Sequence, residues 1–157
     1  MKVNSKNISI STTENVSIVT FNDVVNSSDF LADIFKEVAS GGVNIDMISQ
    51  TPPKSDLLSF AFTFDDSSLT SLLSIIAKIK SEHEQITPLV SSSNVKITIS
   101  SPDMITSTGF ASAVFAGLNA AGIRSLLITT SESDISVLVS SSDANNAVKA
   151  IRTQISK

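Results

Sequence analysis

The residues best suited to chemistry lie in one stretch, Gly41-Gly42-Val43-Asn44-Ile45-Asp46-Met47-Ile48-Ser49-Gln50. Glycine carries no Cβ, so the pair at 41 and 42 suits a left-handed helix end that passes straight into an extended run. Val43, Ile45 and Met47 alternate there with Asn44, Asp46 and Ile48, giving one apolar strand face and another that opens with an amide and a carboxylate. Polar groups at a strand start beside a helix end are placed to read a small polar molecule. His83, the one histidine, lies between Glu82 and Glu84 at an expected helix end, where a charge interaction is the plainer account of it. Zinc needs more ligands than one histidine and no cysteine supply. The chain has neither a Gly-x-x-x-x-Gly-Lys loop nor a Gly-x-Ser-x-Gly elbow. No catalytic constellation, cofactor site or metal site is read from these residues.

The elements that must position that stretch come from a chain of 157 residues, long enough for a real core in one domain or two small ones. A hydrophobic fraction of 41% excludes a disordered chain. The apolar runs are short, none approaching the roughly 18 residues that span a bilayer. Met1-Lys2-Val3-Asn4-Ser5-Lys6 is not followed by a signal-peptide apolar region, which leads to the expectation of a cytoplasmic protein without a membrane partner. A net charge of −4, with no basic cluster and neither Trp nor Tyr, argues against a nucleic-acid partner.

Along the chain, Asn7 to Thr12 reads as a short separate strand ended by Thr13-Glu14-Asn15, and Val16 to Phe21 as a second. Asn26-Ser27-Ser28-Asp29 is a cluster of helix-capping residues. Phe30, Leu31, Ile34, Phe35, Val38 and Ala39 then form one apolar stripe at helical spacing. After the strand from Val43, Pro52 and Pro53 mark a hairpin loop. Leu58, Phe60, Phe62 and Phe64 alternate with Ser59, Ala61 and Thr63, as in a strand with one buried face, and the phenylalanines read as core. Asp65 to Ser68 caps a helix lined by Leu69, Leu72, Leu73, Ile76 and Ile79. Ile86 to Val90 is strand-like, with Pro88 arguing for an edge, and Ser91-Ser92-Ser93-Asn94 reads as a linker.

The pattern then restarts. Val95, Ile97 and Ile99 make a strand, and the loop Ser101 to Thr108 leads to Gly109 and a helix with Phe110, Val114, Phe115, Leu118 and Ala121. Gly122-Ile123 repeats the stop-then-strand device, continued by Leu126 and Ile128. Ile135, Val137 and Val139 form the next strand, and Asp143 caps a last helix carrying Ala147, Val148, Ile151 and Ile155. Phe30 with Phe110, Ile34 with Val114, Val38 with Leu118 and Val43 with Ile123 stand 80 positions apart, the mark of an internal repeat. The second half lacks a fourth strand, and an unpaired edge is a liability. The spare strand at Asn7 to Thr12 is therefore expected to cross over and pair with Val95 to Ser100.

A βαββαβ unit of roughly 75 residues is a ferredoxin-like arrangement. With a helix ending in glycine and a strand opening Val43-Asn44-Ile45-Asp46-Met47-Ile48, it resembles the ACT domain, the amino-acid-sensing module of biosynthetic enzymes. Two in tandem, with Gly42 to Gln50 in the first and Ser131 to Val139 in the second, resemble the C-terminal regulatory half, or small regulatory subunit, of aspartate kinase. The resemblance covers residues 7 to 157. It implies an α+β fold of two ferredoxin-like ACT units, the first over 13–92 and the second over 93–157 plus 7–12, with the N-terminal strand completing the second antiparallel sheet.

In that family Lys or Thr binds between ACT units and inhibits a distant kinase site. The resemblance thus implies a free amino acid as effector, a homodimer formed through ACT units, and an aspartate kinase catalytic domain or subunit as partner. It carries over Asn44, Ile45, Asp46, Met47 and Gln50 as ligand-binding residues, with the loop Asn26, Ser27, Ser28 and Asp29. In the second unit it carries over Thr108, Gly109, Ile123, Arg124 and Ser125. An amino acid's carboxylate suits backbone N–H groups at a helix start, and its ammonium suits a side-chain carbonyl or carboxylate. Capping alone also accounts for Ser27, Ser28 or Asp29 taken singly. The family usually has Asp-Lys-Pro-Gly where this chain has Asn26 to Asp29, and Asn-Ile-Glu where it has Arg124-Ser125-Leu126, which motivates the alternative of a structural, oligomerising ACT module.

Overall fold

The computed structural model describes residues 7–156. Lys157, the last residue of the second expected unit, and the segment 1–6 read for a signal peptide lie outside the described residues. The elements in order are β1 (Ser9–Val25), α1 (Ser28–Ser40), β2 (Ile45–Gln50), β3 (Leu57–Asp65), α2 (Leu69–Glu82), β4 (Leu89–Ser100), α3 (Phe110–Ala120), β5 (Leu127–Thr130), β6 (Asp134–Ser140) and α4 (Ser141–Ile155). Strand neighbours follow the order β2-β3-β1-β4-β6-β5. Two compact units divide the chain, one of them Asn15–Ser93 and the other drawn from the residues on either side of it.

In the unit Asn15–Ser93, β3 pairs antiparallel with both β1 and β2. One face of these strands presents Val19, Phe21, Phe60, Phe62 and Phe64 to Ile34 and Val38 of α1 and to Leu72 and Ile76 of α2. Phe21 stacks on Phe60 across the strand pair, with centroids 4.6 Å apart, the cross-strand aromatic contact that their direct opposition in register permits. In the other unit, β6 pairs antiparallel with β4 and β5. Ile97, Ile99, Val137 and Val139 meet Val114 and Leu118 of α3 and Ala147 and Ile151 of α4. Ile8 and Ile10 pack against this second core, and β1 neighbours β4, so the N-terminal strand completes the second sheet. No described helix is long and apolar enough to cross a membrane.

Several expectations need correction. The two N-terminal strands are one continuous β1, because Asn15 takes a left-handed φ of 58° inside the strand instead of ending it. Asparagine tolerates that region better than most residues. Likewise, Ser91 to Asn94 is the interior of β4 and not a linker, with Ser93 at a φ of 58°. Pro88 precedes β4, and Ile86 is buried in the loop before it. On α2 the apolar face takes Ile75, while Leu73 is 48% exposed; on α3 Phe115 is 43% exposed. Ala39 is exposed on α1. Both faces of β3 are buried, since Ala61 and Thr63 are also out of water. In the second hairpin Leu127, not Leu126, is buried. Ser140, not Asp143, occupies the cap position of α4, and its hydroxyl donates to Asp143 at 2.9 Å.

Candidate functional site

The helix stop before the candidate strand is a closed hydrogen-bond device. Gly42 adopts a φ of 72°, its N–H donates to Ala39 O at 3.0 Å, and the Val43 N–H reaches back to Val38 O at 3.2 Å. These are the two bonds of a Schellman motif, which satisfy carbonyls the helix leaves open. Because the Val43 amide is engaged by the helix, β2 starts only at Ile45, two residues later than the apolar alternation suggests. The same pair of bonds recurs after α3, from Gly122 to Asn119 O at 3.0 Å and from Ile123 to Leu118 O at 2.9 Å.

Along β2, Met47 is buried and Asp46 and Gln50 are exposed; Asn44, just ahead of it, is exposed as well. The pairing shifts between Ile45, opposite Phe64, and Ile48, opposite Phe62. At this irregularity the Met47 N–H donates to Thr63 Oγ1 at 3.0 Å, so a side chain replaces the ladder partner the bulge removes. Thr63 is thus a positioning residue for Asp46 and Met47. Its only sequence signal is a polar residue between phenylalanines.

The loop Asn26 to Asp29 sits at the far end of the same unit. Asn26 N–H donates to Asp56 O at 2.8 Å, Ser27 Oγ accepts from Phe30 N–H at 3.4 Å as the cap of α1, and Ser28 and Asp29 are exposed in the first helical turn. Register fixes the separation. Val25 stands opposite Leu57, whereas Ile45 stands opposite Phe64, which faces Ser17 of β1. At roughly 3.3 Å per residue the two ends are about 26 Å apart along the strand, and Gln50, level with Phe21, is about 13 Å from the loop end. The structure therefore does not bring Asn26–Asp29 together with Asn44–Met47 inside one unit.

The second set is divided in the same way. Thr108 is exposed and Gly109, at a φ of 104°, takes the cap position of α3 without a side-chain bond. Ile123 is half-buried after the far end of that helix, followed by exposed Arg124 and half-buried Ser125. The 11 residues of α3 separate them by about 16 Å at 1.5 Å per residue.

Charged groups are sparse in both units. Glu37 on α1 pairs with Lys78 on α2 at 2.8 Å, and that hydrogen bond raises the Lys78 ammonium above its usual value. No cluster of His, Asp and Glu able to hold a metal occurs among the described residues. His83 ends α2, and its ring stands perpendicular to that of Phe30 at 5.4 Å between centroids, an aromatic contact in addition to its place at a helix end. Beside that contact lies a cavity of about 280 Å³ whose wall includes Asp23, Val25, Ser27, Leu57 and His83. Of these, the reading of the sequence singled out only Ser27 as a ligand residue; the others come together through the hairpin register and the return of α2.

Residues 91–155 match the family model of the ACT domain. The aspartokinase of Bacillus sp. (strain MGA3) is 25% identical over 138 residues, which are 88% of this chain and 34% of that protein. The chain thus spans about a third of the length of that curated relative. Among solved structures, the ligand-free regulatory subunit of aspartate kinase from Thermus thermophilus superposes with a TM-score of 0.82 at 20% identity, over 92% of this chain and 95% of that one. The regulatory subunit from Thermus flavus gives 0.85 at 18% identity, over 95% and 99%. The aspartate kinase of Clostridium acetobutylicum gives 0.82 at 20%, over 99% of this chain and 36% of that one. The chain has the fold of these regulatory subunits along nearly its whole length.

Proposed function

We propose that this chain is a pair of ACT units, about 13–92 and 93–157 with 7–12, that serves as the allosteric regulatory part of an aspartate kinase in aspartate-family amino-acid biosynthesis. It binds free Lys or Thr and inhibits phosphotransfer at a catalytic domain or subunit. The observation that carries the reading is the likeness to two aspartate kinase regulatory subunits over nearly all of both chains, joined to the ACT match at residues 91–155.

The separation of the candidate residues gives the reading a definite form. A helix-start loop at one end of a unit and a strand start about 26 Å away at the other cannot both touch one amino acid in that unit. They can do so where two ACT units meet, the loop of one facing the β2 start of the other. There the first-turn amides after Ser27 receive the effector carboxylate, while Asn44, Asp46 and Gln50 receive its ammonium and side chain. A homodimer is the simplest assembly that supplies such a meeting. The effector inhibits only by binding one of two states more tightly, with a coupling of about 1–3 kcal/mol.

Isothermal titration of the chain with Lys and Thr at millimolar concentration tests this reading, and silence with both overturns it. A second reading, an ACT pair that only assembles oligomers, is favoured by exposed Arg124 and Leu126 standing where the family carries an amide and a carboxylate. Light scattering with and without amino acids separates the two: an effector-dependent change in mass supports sensing, and an indifferent dimer supports assembly alone.

A further inference from the structure

His83 is the one histidine of the chain, and histidine is the side chain whose charge ordinarily changes between about pH 5 and pH 8. We infer that its protonation tightens effector binding at the first turn of α1, so that the unit Asn15–Ser93 responds to pH as well as to an amino acid. The inference rests on the reading that the amides after Ser27 receive the effector carboxylate.

Two contacts tie the imidazole to that turn. Its ring stands perpendicular to that of Phe30 at 5.4 Å between centroids, and the Phe30 N–H donates to the capping Ser27 Oγ at 3.4 Å. His83, Phe30 and Ser27 are each half-buried, and water and salt screen a charge there less than at an open surface. All three line the cavity of about 280 Å³.

The sign follows from the charges around the ring. Of the described residues lining that cavity, only Asp23 and His83 can carry charge. The β1–β3 register shifts between Phe21 and Val24, and Asp23 there adopts a φ of 50° while its N–H donates to Ser59 Oγ at 3.1 Å, a bulge that sets it on the cavity wall. With a neutral imidazole the wall is net negative and repels a carboxylate. With an imidazolium the two charges balance and the repulsion is removed. A second cavity lined by His83 brings in Asp33, Lys36 and Glu37 of α1 with Lys78 and Glu82 of α2, of which Glu37 and Lys78 pair at 2.8 Å. Asp29 precedes Phe30, and Glu84 follows His83. Carboxylates and ammonium groups ordinarily keep their charge between about pH 5.5 and pH 7.5, so the imidazole is the group that changes.

Isothermal titration of the chain with Lys and Thr at about pH 5.5 and about pH 7.5 tests the inference. Binding is expected to be roughly fivefold tighter at the lower pH, and His83→Gln is expected to bind equally at both. The coupling is reciprocal, so the effector must draw protons onto His83. The midpoint of the His83 ring-proton titration, followed by magnetic resonance in the parent chain, is therefore expected to rise with saturating effector. Equal or weaker binding at the lower pH, a pH dependence that survives in His83→Gln, or a titration unmoved by effector would each overturn the inference and leave the effector reading in place. Silence with Lys and Thr at both pH values defeats that reading and this one together.

Discussion

The Ser17 hydroxyl, fully buried on β1, donates to Asp66 Oδ1 at 2.6 Å, while the Ser93 N–H of β4 reaches the other carboxylate oxygen of Asp66 at 3.2 Å. One side chain in the short helical turn before α2 therefore holds the two strands at the places where each runs past a left-handed residue, Asn15 on β1 and Ser93 on β4. Truncating it leaves a buried hydroxyl without its acceptor. Asp66→Ala is expected to destabilise the chain by about 1–3 kcal/mol. Urea unfolding checks this, and a midpoint equal to that of the parent chain would remove Asp66 from the account.

The two helix layers differ in how closely their backbones approach. A Cβ built on Gly117 of α3 would lie 2.7 Å from Ile151 Cα and 2.9 Å from Ile151 N, so α3 and α4 touch through backbone. Gly117→Ala must push the helices apart and is expected to cost about 1–3 kcal/mol, as overpacking does. At Gly42, by contrast, nothing lies within 4 Å, and only the φ of 72° resists a side chain. Gly42→Ala is expected to cost about 1 kcal/mol through left-handed strain alone. Thermal melts of the two variants should rank them in that order.

Asp65 accepts hydrogen bonds from the Ser67 hydroxyl and, at 2.9 Å, from the Ser67 N–H. Those bonds hold its carboxyl below the usual value of 3.8. A carboxyl lowered in the folded chain contributes stability above its unfolded pKa, and the contribution disappears as pH falls through the lower folded value. The stability gap between the parent chain and Asp65→Asn should therefore be constant near neutrality and close below about pH 4. A gap that widens on acidification would contradict the assignment.

On the proposed effector site, Asp46 and Gln50 are exposed on β2, so removing their side chains leaves the core intact. Asp46→Ala and Gln50→Ala should each weaken Lys or Thr binding roughly tenfold or more, the loss of a charge-assisted hydrogen bond being worth about 1.5–3 kcal/mol. Melting temperatures should stay within a few degrees of the parent. Calorimetric affinity unchanged in both variants would place the effector elsewhere.

The parts of the fold legible in the sequence are those fixed over a few residues. Gly42 and Gly122 announce helix ends because glycine takes positive φ without a Cβ clash, and both carry the same pair of closing bonds. Strand continuity is not local in that way. Asn15 and Ser93 read as breaks, yet β1 and β4 run through them, because hydrogen bonds between neighbouring strands hold an extended chain on both sides of a single left-handed residue. The choice of Ile75 over Leu73 is another case, since both fit a helical stripe and only the position of the sheet selects between them.

The amino-acid order by itself determined the four helices, the two glycine stops and the repeated unit, since short-range backbone preference and apolar periodicity act within one turn or one strand. Tertiary structure alone decided that Asn26–Asp29 and Asn44–Met47 occupy opposite ends of a unit, that Thr63 replaces a missing ladder partner for Met47, and that Asp23 and His83 share a cavity. The reason is register. It depends on which residues of distant strands face one another, and no local preference of either strand contains that pairing.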